Sequence, residues 1–224
     1  MRSIRHFIVF TVVLLICLSI LLHTTIPSEY PELRSGDLIF QTSTSNQSGA
    51  IFVATANAYT HMGIIKKNGS NIVVIEAVGT VRETPLKDWV NRALFKRVAI
   101  YRDPTLTPSQ AKQILAKAKT YYGRAYDIFF SFNNNAMYCS ELPYLAYKGA
   151  GIPIGKVQKV SELNFDNWLV KKLIKARWQR HEECKSEAYD FEKCFQHILN
   201  QDLITPASIA RDSRFEKIYS NYPL

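Results

Sequence analysis

His61-Met62-Gly63-Ile64-Ile65-Lys66-Lys67-Asn68-Gly69-Ser70-Asn71-Ile72-Val73-Val74-Ile75-Glu76-Ala77-Val78 consists of two β-forming runs around an Asn-Gly pair. That is the strongest short-range cue for a β-hairpin. A two-residue turn at Asn68-Gly69 would pair Lys67 with Ser70 and, farther along, His61 with Glu76. Directly opposed residues share a face with Cβ atoms about 5 Å apart, so the carboxylate could accept an imidazole N–H. A longer turn would move this register by one or two residues. Glu76 stands among Val73, Val74, Ile75 and Ala77, where a carboxylate needs a partner because burying an unpaired charge is costly. A lone histidine is ordinarily a satisfied core or surface residue, and a buried structural ion pair is the competing reading of His61 and Glu76.

Outward from the hairpin, Gly36 announces a first strand at 37–41, residues 42–49 read as a loop, and 50–59 suit a short helix. Thr84-Pro85 opens a short helix with Leu86, Trp89 and Val90, and 97–102 returns as a strand. Thr107, Pro108 and Gln110 spell a capping box before the apolar stripe Ile114, Leu115, Ala118 and Tyr122, which Gly123 ends. A further helix must begin near Cys139 or Ser140, because Pro143 is tolerated only in a first turn. Residues 161–200 read as mostly helical, and Thr205-Pro206 opens a last short helix before a segment at 215–220. The pattern predicts an α+β fold: an antiparallel sheet packed against helices.

Cys139 therefore stands at a helix N-terminus, where the macrodipole and free backbone N–H groups stabilise a thiolate and can hold an oxyanion. A buried inert cysteine is the alternative. Arg2 and Arg5 precede an apolar run at 7–22, the pattern of export. Such a run spans about 24 Å as a helix, between a signal-peptide core and a bilayer span, so residues 1–26 are a cleaved signal or an inner-membrane anchor, with 27–35 as linker. The rest of the chain is expected outside the cytoplasm, in the periplasm or its equivalent. In an oxidising compartment Cys184 and Cys194 can pair, since Cys17 lies in the export segment and Cys139 in a chemical motif. Unpaired thiols and a two-Cys, two-His metal site with His181 and His197 are the other readings. The net charge of +9 includes a denser stretch at Lys171, Lys172, Lys175, Arg177 and Arg180, read as a solvated face. No nucleic-acid-binding signature accompanies it.

Four stretches together, Gly36-Asp37-Leu38-Ile39-Phe40, His61-Met62-Gly63-Ile64, Val74-Ile75-Glu76-Ala77 and Tyr138-Cys139-Ser140-Glu141-Leu142, resemble the YiiX/YaeF/YebB-like family of NlpC-type papain-like hydrolases. Usual members place the cysteine helix first; here it comes last, the circularly permuted order. The resemblance covers roughly 33–175, with 205–219 a returning piece and 178–200 a helical insertion in a catalytic domain at 36–224. It implies a permuted papain-like fold, nucleophile Cys139, base His61 and orienting Glu76, with Tyr138 and Ser140 near the oxyanion or substrate and neither metal nor cofactor. Implied substrates are amides in peptides or cell-wall fragments, including lysine-containing ones. A lipid or thioester hydrolase or acyltransferase with the same Cys-His pair, and a non-catalytic binding domain, are the competing functions.

Overall fold

The computed structural model describes residues 30–223 apart from positions 133 and 166. The export segment at 1–26 lies outside the described residues, and among the described residues no helix is long and apolar enough to cross a membrane. Pro31–Leu224 packs as one compact unit. Packing begins earlier than the expected linker end, because Leu33 is buried and Arg34 donates its backbone N–H to Asp37.

Strand β1 (Leu38–Ser43) lies mid-sheet between β2 (His61–Asn68) and β5 (Ala93–Arg102). Next to β2 lie β3 (Asn71–Val78) and β4 (Thr80–Pro85), and β8 (Glu216–Ser220) closes the β5 edge, giving the antiparallel order β4-β3-β2-β1-β5-β8. Alternation places Leu38, Phe40, Met62, Ile64 and Ile75 in one buried core with Ile114, Ala118, Leu142 and Ala146. The last four belong to helices α3 (Pro108–Lys119) and α4 (Glu141–Gly149), numbered after α1 (Ser48–Thr55) and α2 (Leu86–Asn91). The expected capping box starts α3: Thr107 accepts from the backbone N–H of Gln110, and the Gln110 side chain accepts from that of Thr107.

Thr84-Pro85, expected to open a helix, instead ends strand β4, whose Arg82 and Glu83 are exposed. It forms because it is an edge: Pro85 is tolerated where its missing N–H costs no ladder bond. The region after α4 is helical as expected but broken, into α5 (Trp168–Lys175), α6 (Glu182–Ser186) and α7 (Phe191–Leu199), with a two-residue ladder between β6 (Gln158–Lys159) and β7 (Asp202–Leu203) at its base. Cys184 and Cys194 form a disulfide joining α6 to α7 inside a small core with Val160, Ile198 and Leu203. The bond removes both sulfurs from the metal alternative. His181 meets Gln201 at 2.9 Å instead, and His197 pairs with Glu183. After β7, Thr205 caps α8 (Pro206–Ala210).

The hairpin register differs from the expected one by two residues. Asn68 pairs with Asn71 and Ile64 with Ile75, so the turn is Gly69-Ser70. Gly69 supplies the positive φ of +59° at its first position. Continuing the register sets Gly63, not His61, opposite Glu76. A shift of two keeps every side chain on its face, whereas a shift of one would have parted His61 from Glu76.

Candidate active site

His61 and Glu76 are diagonal neighbours on one face of the hairpin, a separation long side chains can bridge. They meet at 2.6 Å, imidazole Nε2 to carboxylate Oε2. Gly63 makes this reach possible: a Cβ there would lie 2.4 Å from Val74 Cγ1 and 3.5 Å from the Glu76 Cβ. The other Glu76 oxygen accepts from Thr84 at 2.5 Å and from the Arg92 guanidinium. Glu76 is wholly buried. Burial alone would raise its pKa, but the bonds from His61 and Thr84 and the charges of His61 and Arg92 hold it below the usual carboxylate range. Trp89 of α2 stacks on the His61 ring, centroids 6.0 Å apart, and shields the pair from water.

Cys139 stands one residue before Ser140, the N-cap of α4. It is buried and is the unpaired cysteine among the described residues. Cys139 acts on the charge of His61 together with Glu76. With Nε2 committed to the carboxylate, the nitrogen left for sulfur is Nδ1. Burial works against a charged ring, yet the influence of the Cys139 and Glu76 side chains outweighs it and pushes His61 up to about 9. The three expected site residues thus come together from β2, β3 and the start of α4.

Tyr138 and Ser140, expected near an oxyanion or substrate, send their side chains elsewhere. The Tyr138 hydroxyl accepts from the backbone N–H of Ile204 at 3.1 Å, and the Ser140 hydroxyl donates to the Ile204 carbonyl at 2.8 Å. Both clamp the returning chain, so any oxyanion contact from them comes from backbone. Glu141 reaches back to the Tyr138 N–H. Burial pushes its carboxyl up to about 8, so at neutral pH it is an uncharged cap and not a charge favouring the helix dipole.

Sequence reasoning missed Tyr126. Its backbone bridges Met137 in parallel and bonds to Gly79 at 2.8 Å. Burial first, then the neighbouring Cys139 side chain, raise this phenol well above its ordinary value. Gln47 Nε2 donates to the same hydroxyl at 2.9 Å, and Arg177 donates to Gln47 Oε1 at 3.0 Å. Nothing local in the sequence signals this chain, since its members lie in three separate loops.

Beside Cys139 opens a cavity of about 90 Å³. Ala54 of α1, Phe129 and Phe130, and Leu173 and Ile174 of α5 give it an apolar lining. Arg177 is the charged residue among the described lining residues.

A sheet carrying His and Glu, packed on a helix that presents Cys at its start, is the architecture of a papain-like cysteine hydrolase, here with the cysteine last in the chain. A family model described as permuted papain-like amidase enzyme, YaeF/YiiX, C92 family, matches residues 32–219, and the chain belongs to that amidase family. It is 34% identical over 169 residues to the uncharacterized protein YiiX of Escherichia coli K12, covering 75% of this chain and 83% of the relative. The crystal structure of metalloprotein yiiX from Escherichia coli O157:H7 superposes with a TM-score of 0.75 at 30% identity, covering 85% of this chain and 98% of that one. In this chain no group of three or more His, Cys, Asp or Glu side chains among the described residues is gathered to hold a metal, and the Glu76 carboxylate is taken up by His61, Thr84 and Arg92.

Proposed function

We propose that the protein hydrolyses amides outside the cytoplasm with Cys139 as nucleophile, His61 as proton carrier and Glu76 as orienting carboxylate. One observation supports this reading: His61 is bonded to Glu76 at 2.6 Å, and its charge also responds to Cys139, which stands just before a helix start. The Cys139 proton passes to His61 and the sulfur attacks the carbonyl carbon. Backbone N–H groups at the start of α4 stabilise the oxyanion. His61 gives the proton to the departing amine, leaving a thioester. It then takes a proton from water, whose oxygen adds to the thioester carbonyl, and returns it to sulfur as the acid leaves. Glu76, held ionised by Arg92 and Thr84, fixes the ring and stabilises its cation. The buried disulfide and the basic-then-apolar N-terminus support an extracytoplasmic setting.

The cavity favours a substrate with an apolar group beside the scissile carbonyl. Its one charged neighbour is a cation, which matches a lysine ammonium poorly, so an acylated amide suits the site better than a lysine side chain. The same apolar lining gives a second reading, hydrolysis or transfer of acyl groups from lipid esters or thioesters. Cys139→Ala is expected to abolish turnover while leaving the melting temperature near that of the parent; normal turnover in that variant would end the mechanism. A thiol-reactive probe competed by cell-wall peptides, N-acyl amides and phospholipids in parallel identifies the substrate class as whichever protects Cys139. Protection by N-acyl amides is expected, and protection by phospholipids alone would transfer the assignment to the lipid reading.

A further inference from the structure

Strand β5 leaves the sheet at a definite place. The pairing of Leu38 with Tyr101 through Gln41 with Val98, continued without interruption, would set Ser43 of β1 opposite Lys96. Ser43 is paired with Ala93 instead, so β5 carries three extra residues there. Extra residues in one strand go unpaired and bend it out of the ladder. The bend consists of Leu94, Phe95, Lys96 and Arg97, and Phe95 and Lys96 take positive φ values of +55° and +54°. Left-handed backbone is costly for a side chain as bulky as phenylalanine. Asn221 holds it there, accepting from the Val98 N–H at 2.6 Å and donating to the Lys96 carbonyl at 3.1 Å. The strained bend leaves Phe95 64% and Leu94 42% exposed, with the Arg97 guanidinium 5.2 Å from the Phe95 ring centroid.

A second segment reaches the same place. No Lys, Arg, Asp or Glu occurs between Asp37 and Lys66, in a chain where 21% of residues are charged, so α1 and the loops flanking it can leave water without burying an ion. Phe52 of α1 is 49% exposed. With Leu94, Phe95, Arg97 and Tyr222 it lines one open hollow that has no acidic side chain among its described lining residues. Toward the interior, α1 gives Ala50, Ile51 and Ala54 to the cavity beside Cys139.

We propose that this face docks on a lipid surface: Phe52, Leu94 and Phe95 enter the boundary of the acyl chains, and Lys96 and Arg97 meet anionic headgroups around them. Exposed apolar side chains beside cations, with no acidic group among them, are the chemistry of interfacial binding. Charge favours this occupant over a second copy of the chain, since two copies bring Lys96, Arg97 and a net charge of +9 each together. Docking sets one wall of the Cys139 cavity, α1, against the membrane, whatever reaction that cavity serves.

The test is lipid quenching of a tryptophan placed in the bend. Phe95→Trp, and as a control Lys217→Trp, which pairs with Tyr101 toward the other end of β5, are made in the full chain and mixed with vesicles of phosphatidylcholine and phosphatidylglycerol carrying brominated acyl chains. Brominated chains quench at contact, so the readout reports on this face whether or not the N-terminal apolar run also holds the chain. The fluorescence added by Phe95→Trp is expected to shift to the blue and be quenched, and that added by Lys217→Trp to remain. In the Phe95→Trp background, Lys96→Gln with Arg97→Gln is expected to lower the docked-to-free ratio about fivefold for each charge removed, and raised salt to act in the same direction. Phe52→Ser in that background is expected to lower the ratio about tenfold. An unquenched tryptophan at 95, or equal quenching at 95 and 217, overturns the proposal. A ratio indifferent to the two charges overturns the headgroup contact, and one indifferent to Phe52→Ser overturns the part given to α1. A blue shift that appears without vesicles and grows with protein concentration assigns the face to a second copy and overturns the lipid assignment.

Discussion

At the scale of single residues, the site is a buried imidazole between an anion and a sulfur, and its titration has a definite sign. His61 is pushed from 6.5 up to about 9 on folding. Its contribution to stability is fully present below 6.5 and is lost as pH rises through about 9. The proton that leaves with the amine goes with it, so kcat/KM is expected to fall above about pH 9. A rate still climbing at pH 10 would contradict the protonated ring. Glu76→Gln keeps the hydrogen-bond geometry but removes the charge that holds the ring protonated. Activity is expected to drop about 10- to 100-fold and the alkaline limb to move to lower pH, and an unmoved limb would remove Glu76 from the trio. Glu141 titrates against folding: its carboxyl stays protonated to about 8 in the native chain, against an ordinary 4.5. The parent should therefore lose stability relative to Glu141→Gln between those two values, with a constant gap above them, readable from chemical denaturation at pH 5, 7 and 9. Cys139, His61 and Glu76 can be picked out as candidates from the sequence because each carries a local sign: a helix start, a strand position and a carboxylate among β-branched neighbours. Arg92, Thr84, Trp89 and Tyr126 were not, because each reaches the site through tertiary packing and is an ordinary residue within its own stretch.

At the scale of elements, the hairpin shows how a right conclusion can follow from an inexact register. Asn68-Gly69 marked the turn region correctly, but the chain turns one residue later and pairs Asn68 with Asn71. Parity survives that change, so His61 and Glu76 stayed on one face, and Gly63 closed the remaining gap. Gly63→Ala tests this directly. Its Cβ would fall 2.4 Å from Val74 Cγ1 and 2.8 Å from the Ile75 carbonyl oxygen. The substitution is expected to cost about 1–3 kcal/mol of stability and to slow turnover by parting the two side chains. An alanine variant as stable and active as the parent would show that the hairpin has slack there. Helices α3 and α4 were legible from Thr107-Pro108 and Pro143, whose backbone chemistry admits few alternatives. Strand β4 was hidden because its pattern is that of an exposed edge, with little hydrophobic period to read.

At the scale of the molecule, the disulfide-tied helical region is part of the catalytic unit. Val160, Ile198 and Leu203 pack around Cys184–Cys194 and line the apolar cavity beside Cys139. Closing a loop across a sequence separation of 10 residues stabilises by about 2–3 kcal/mol in the chain-entropy view. The Cys184→Ser, Cys194→Ser pair is expected to lower the melting temperature and weaken binding of apolar substrates while leaving Cys139 alkylation nearly as fast. Equal binding would separate the cavity from this core. The clamp of Tyr138 and Ser140 on Ile204 has a consequence in time. Synthesis proceeds from the N-terminus, so histidine, glutamate and cysteine are all made before the segment that buckles the cysteine's flanks in place. A nascent chain held at residue 200 carries the full reactive set with no latch on it. On the proposed mechanism a chain cut before Ile204 is therefore expected to be inactive, since nothing then holds the flanks of Cys139.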